Sequence, residues 1–211
     1  MKKIAKKTLS ERTQGEFNNR VDEWYLSESV RKFIEKELAG VYESYADEIY
    51  KVAADEINSQ LEANEAFRLE VQNYIKNSTT RYIMSSRGQM KSVVRKAIEK
   101  ELDTIEAVEL RLARWEEKRP EKESRREIIA GAAGLASFVY FAGGFRTVWV
   151  TVGKNCPYCD SLDGATIESG GTFLAAGTEF QPEGAERPLT TRGGISHPPA
   201  HGSCDCSTSS A

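Results

Sequence analysis

All four cysteines and both histidines of this 211-residue chain fall in two short segments. Cys156 and Cys159 lie in Asn-Cys-Pro-Tyr-Cys-Asp; His197, His201, Cys204 and Cys206 lie in His-Pro-Pro-Ala-His-Gly-Ser-Cys-Asp-Cys. A C-x-x-C turn facing an H-x-x-C-x-C turn can close a tetrahedral site of thiolate and imidazole donors, the donor set zinc prefers. Cys156 and Cys159 are its most secure members, because the tight C-P-x-C turn aims both sulfurs at one point. His201, Cys204 and Cys206 compete for the remaining positions, so the candidate ligands are Cys156, Cys159, His201, Cys204 and Cys206, and which four bind stays open. His197 is read as a neighbour of the site, since Pro198-Pro199 stiffens the chain between it and the others.

A structural zinc closes every position with protein atoms, whereas a catalytic one keeps a position open for water and needs an acid or base nearby. Asp160, Asp163 and Asp205 are close in sequence, but acidic residues in such turns usually cap backbone amides. The zinc-deaminase pattern needs a histidine upstream of its cysteines, and none precedes His197. H-E-x-x-H, G-x-S-x-G, a Walker loop and G-x-G-x-x-G are also absent. The expectation is a structural Zn2+ and no enzymatic activity; a zinc-dependent hydrolase acting on nucleic acid or peptide, and a generic zinc-binding adaptor, are the alternatives.

Composition narrows the partners. The formal net charge is −3, and from Glu127 onward four basic residues face eight acidic ones. Of the totals of 29 and 32, that leaves 25 basic and 24 acidic residues in 1–126. Neither part carries the basic surplus of a nucleic-acid binder. No apolar stretch follows the lysine-rich start, so no secretory signal is read and the cysteines are expected as thiols. Ile128–Phe145 is free of charge; its glycines and alanines suit a helix buried in protein better than a membrane span.

The elements that must position the ligands follow from periodicity. Residues 1–20 are polar and read as a flexible arm. A helix capped by Ser27 carries Val30, Ile34, Leu38, Val41, Tyr45, Ile49, Val52 and Ile57 at steps of three and four. A second, capped by Asn64, stops near Ser85-Ser86-Arg87-Gly88. A third runs from about Gln89 to Lys118, and Pro120 breaks it or starts the next element. A helix of about thirty residues spans roughly 45 Å, more than a compact bundle needs; a bundle burying its own core is the favoured reading, with an extended hairpin or self-association at an assembly interface as the alternative. The small-residue helix Ile128–Ala142 allows another backbone to approach. Phe145–Val152 reads as a strand, Ala165–Glu168 as a second, residues 175–196 as a long irregular loop, and the Ser-Thr-Ser-Ser end as a tail. The fold class is α+β: a long-helix region over 21–120, then a small zinc-stapled α/β module with a few short strands over 121–211.

The stretch from Arg126 to Cys206 resembles the phage head morphogenesis family, the minor capsid proteins similar to the F protein of phage Mu. A helix precedes Val148-Trp149-Val150-Thr151, followed by Cys156-Pro-Tyr-Cys159, Leu162-Asp-Gly164, a variable loop with Phe180-Gln-Pro-Glu-Gly184, and Pro198-Pro-Ala-His201-Gly-Ser-Cys204-Asp-Cys206. It departs from the family at Ala130-Gly-Ala-Ala133, where many members look to carry an Arg-Thr-Glu run. The resemblance implies a non-enzymatic assembly component acting with the portal, the major capsid protein or a scaffold. It would work in the host cytoplasm during assembly, sometimes packaged in the head, neither secreted nor membrane-bound. Some relatives carry toxin-like enzymatic domains; with five residues after Cys206, none is expected here.

Overall fold

The computed structural model describes residues 14–59, 63–153, 156–202 and 204–211. Four helices come first: α1 (Gln14–Tyr25), α2 (Glu28–Glu56), α3 (Glu65–Glu99) and α4 (Thr104–Ala142). Then follow β1 (Thr147–Val150), α5 (Pro157–Leu162), β2 (Thr166–Ile167), β3 (Glu179–Phe180), β4 (Leu189–Thr190) and β5 (Ser207–Ser210). The expected α+β architecture, long helices followed by a few short antiparallel strands, is what the chain adopts.

Local chemistry sets several helix ends. Ser27 Oγ accepts the Val30 amide and Asn64 Oδ1 accepts the Phe67 amide at 3.1 Å, each satisfying a donor that the first turn leaves free. Other ends differ from the sequence reading. α3 runs straight through Ser85–Gly88, where Ser86 is fully buried and accepts a hydrogen bond from Arg119 Nη1 at 3.0 Å. The interruption falls at residues 100–103 instead. There Glu101 takes a left-handed φ of 54°, and Asp103 Oδ1 caps the next helix by accepting the amides of Ile105 (2.7 Å) and Glu106 (3.1 Å). Leu102 and Ile105 continue the apolar spacing across this break, yet both are exposed. α4 passes through Pro120; a proline here forfeits one backbone hydrogen bond, and the apolar contacts on either side hold the helix together.

Two compact units divide the chain. The first takes the described residues up to Val41 together with Asn73–Glu121. Its core joins Phe17, Val21 and Tyr25 of α1 to Ile83, Val94 and Trp115. Part of the expected arm, Gln14–Arg20, is therefore helix packed on a core; residues 1–13 lie outside the described residues. Arg119 stacks over the Trp115 ring at 3.9 Å.

The second unit takes Tyr42–Gln72 and Lys122–Ala211, so compactness groups residues 42–72 with the C-terminal part rather than with a separate helical region over 21–120. On α2 the buried residues are Tyr42, Ala46, Tyr50, Ala53 and Ala54, one position off the predicted stripe, which leaves Val41 and Val52 exposed. Alanines make up three of the five buried positions of this face. Ala130, Ala133, Leu135, Val139 and Tyr140 of α4 are buried. Among the described residues, no helix is long and apolar enough to cross a membrane. What approaches Gly131 is a pair of tyrosine side chains rather than a backbone: a Cβ there would lie 2.4 Å from both Tyr42 Cε1 and Tyr45 Oη.

The sheet has the antiparallel order β2-β1-β5. β1 buries Thr147 and Trp149 on one face. The serine-rich end is not a tail but β5, registered on β1 from Thr147↔Ser210 to Val150↔Ser207. Thr208 Oγ1 donates to the α4 carbonyl of Ala133 at 3.2 Å. Glu56 accepts from Tyr140 Oη at 2.6 Å and from Ser210 N at 2.8 Å, and also from Ser209 Oγ, tying β5 to α2. The region 175–196 is likewise ordered: β3 pairs with β4 through Phe180↔Leu189, and Leu174 bridges Ile195.

Candidate metal centre

All five candidate ligands come together. The side-chain donors of Cys156, Cys159 and His201 lie within 4.8 Å of one another, and so do those of Cys159, Cys204 and Cys206. Cys159 belongs to both groups. Its sulfur is 3.5 Å from Cys156 Sγ, 3.5 Å from Cys204 Sγ and 3.4 Å from His201 Nε2. His201 Nε2 also lies 2.9 Å from Cys156 Sγ. The cluster could hold a metal ion.

The local fold explains the convergence. Cys156 is the N-cap of α5, and Pro157 occupies its first position, where a missing N–H costs nothing. One helical turn then places Cys159 beside Cys156. Asp163 Oδ1 accepts both the amide and the hydroxyl of Thr151 at 2.9 Å, fastening the end of α5 to the end of β1. Those bonds hold its carboxyl below the usual aspartate value. On the other side, Cys204 and Cys206 lead directly into β5, with Arg125 Nε donating to Asp205 Oδ1 at 2.9 Å. Asp163 therefore accepts a backbone amide, as acidic turn residues usually do, Asp205 pairs with Arg125, and neither belongs to a donor group.

Hydrogen bonds among the buried thiols polarise the cluster. The Cys159 thiol donating to Cys204 sets Cys204 well below the ordinary cysteine range and raises Cys159. Burial pushes Cys206 up, opposed first by Cys159 and least by the indole N–H of Trp149. That N–H is buried, with no acceptor of ordinary hydrogen-bond geometry. A negative thiolate nearby would relieve the cost of an unpaired donor. Trp149 is fully buried, edge-on to Phe173 at 5.1 Å between ring centroids. The sequence singled it out as a strand residue of the resemblance, without a role beside the sulfurs.

His201 Nδ1 is 2.8 Å from the Gly202 carbonyl. A carbonyl only accepts, so the proton is on Nδ1 and the Nε2 lone pair is free to face the sulfurs. His197 belongs to neither donor group; its Nδ1 is 2.7 Å from the Pro198 carbonyl. The donor chemistry, the free Nε2 and the orphaned indole N–H all fit a soft divalent ion. Compared with family models, with curated proteins and with solved structures, the chain gives no match.

Proposed function

We propose that the chain is a minor capsid protein of the phage head morphogenesis kind, a non-enzymatic assembly component whose C-terminal module is stapled by one structural Zn2+. The order of motifs from Val148 to Cys206 supports the family part of this reading, and the observation that carries its metal part is the position of Cys159, whose sulfur touches donors from both segments. An ion bound there ties α5 to the chain just before β5 and so closes the whole sheet and ribbon. Structural zinc contributes roughly 10–16 kcal/mol of apparent binding free energy that becomes folding free energy. Two- and four-residue strands need such a contribution, because short strands alone bury little apolar surface. The engagement of Asp163 and Asp205 elsewhere supports a structural rather than a hydrolytic ion.

In this reading the module presents surfaces to a portal, major capsid or scaffold protein. The near balance of charge in 1–126 and the acidic excess after it give nucleic acid no evident place to bind. The test is to purify procapsids and virions from the phage or prophage encoding the chain and probe them for it, measuring zinc in the isolated protein. The expected result is incorporation in at least one of these particles, and one zinc per chain. Absence from every assembly stage overturns the assembly role. Zinc-dependent hydrolysis abolished by Asp160→Asn, Asp163→Asn and Asp205→Asn in a folded protein overturns the non-enzymatic one.

A further inference from the structure

The first half of α2 carries an apolar face that its own unit leaves open. The buried residues of α2 begin only at Tyr42, while Phe33 is 65% and Val41 43% exposed. Phe33 stands on the rim of a groove of about 490 Å³, lined among others by Trp24, Val30, Ile34, Leu38 and Tyr82, in which Glu37 is the one charged side chain. All of these residues belong to the first compact unit. Exposed apolar surface of this kind, rimmed by polar groups, marks an interaction site. We propose that two copies of this chain pair through this face, α2 against α2, parallel and in register.

Charge complementarity selects the occupant and its direction. The first charged residues of α2 satisfy one another, Glu28 with Lys32 at 2.9 Å and Arg31 with Glu35 at 3.7 Å. The next two, Lys36 and Glu37, have no partner among the described residues. With about 100° between successive residues, Lys36 falls about 60° to one side of Phe33 and Glu37 about 40° to the other, one turn further along. In a parallel two-fold pair the two sides interchange, so each Lys36 meets the partner's Glu37 and the contact satisfies both groups twice. The stem of the partner's Lys36 then covers the apolar lining of the groove while its ammonium reaches Glu37. An antiparallel pair would set Lys36 against Lys36 and Glu37 against Glu37, which repel. Gly40 lies seven residues beyond Phe33 on the same line of the helix, and nothing is within 4 Å of a Cβ placed there, so the two backbones can close up just past the Phe33 contact. The face is smaller than the about 20–30 residues a side of a standard interface, which makes the dimer weak and concentration-dependent. The inference stands independently of the metal and assembly readings above.

Sedimentation velocity of the full chain tests the pairing, from about 5 to about 500 μM, the range in which a small interface dissociates. A dimer fraction that rises with concentration is expected. Phe33→Ser should weaken the dimer by more than about tenfold, as loss of a central aromatic anchor does. Lys36→Glu and Glu37→Lys should each weaken it by about threefold to tenfold, because each turns both cross-pairs into like charges, and the double reversal should restore it. Circular dichroism checks that the variants stay folded; if Phe33→Ser does not, the charge series at two exposed positions decides. A chain that stays monomeric throughout overturns the inference and leaves the face to a different protein. A dimer that Phe33→Ser leaves intact overturns it as well, and a dimer indifferent to the single charge reversals overturns the parallel arrangement.

Discussion

Asp22 of α1 faces two cations of α3, Arg87 and Lys91. The Arg87 hydrogen bond is the largest influence on its carboxyl. Burial opposes it and Lys91 adds to it, and the group is held at about 2 against an ordinary 3.8. A folded value below the unfolded one means that the carboxylate stabilises the fold above about pH 4. That contribution disappears as pH falls from about 4 to 2, as the group protonates. Asp22→Asn should therefore flatten this acid limb: between pH 5 and pH 2.5 the wild-type urea midpoint should fall further than the variant's. Equal falls would mean that the pair contributes nothing. Gly131 makes a steric prediction. Tyr42 is fully buried and hydrogen-bonded to Glu127, so its ring cannot retreat from a methyl group placed 2.4 Å away. Gly131→Ala should cost about 1–3 kcal/mol, the usual penalty of overpacking, read from urea denaturation at neutral pH.

At the scale of elements, what could be read from the chain was what neighbouring residues decide. Ser27 and Asn64 cap their helices because the acceptor and the amide are three residues apart, and Cys156-Pro157 starts α5 for a similarly local reason. Gly88 and Pro120 were misread as stops, because long-range packing of the apolar residues around them outweighs a local cost of about 1 kcal/mol for glycine and about 3 for proline. The serine-rich β5 has no strand signal of its own; it is a strand because β1 offers an edge and Thr208 finds the Ala133 carbonyl. The same logic gives two predictions of opposite sign to most mutations. Gly88 is exposed, with nothing within 4 Å of a Cβ placed there, so Gly88→Ala should stabilise by about 0.5–1 kcal/mol. Pro120→Ala should restore the backbone bond that proline forfeits and stabilise by about 1–3 kcal/mol. Thermal melts should rise for both, and a fall at Pro120 would mean that the proline sets a bend the packing requires.

At the scale of the whole molecule, the two compact units depend on different forces. The first is held by an apolar core of helix faces, with Val108 and Ile83 almost fully buried. The second contains the candidate donors, an apolar cluster around Trp149, Leu162 and Leu174, and polar contacts that are individually modest. An exposed pair such as Arg125–Asp205 is worth about 0–1 kcal/mol, and the hydrogen bonds to Glu56 about 0.5–3 kcal/mol each. On the metal reading proposed above, a structural zinc would add roughly 10–16 kcal/mol to these contacts. A tight chelator should therefore strip amide protection from residues 156–210 while leaving slow exchange at Ile83, Val94 and Leu112, followed by hydrogen–deuterium exchange and mass spectrometry. Cys156→Ser should reproduce the pattern without chelator, because it removes a donor that lies 3.5 Å from Cys159 and 2.9 Å from His201. Unchanged protection at Trp149, Cys159 and Thr208 after chelation would mean that packing, not an ion, closes the module. Loss of protection at Ile83 and Leu112 in step with the cluster would mean that the helical core leans on the metal as well.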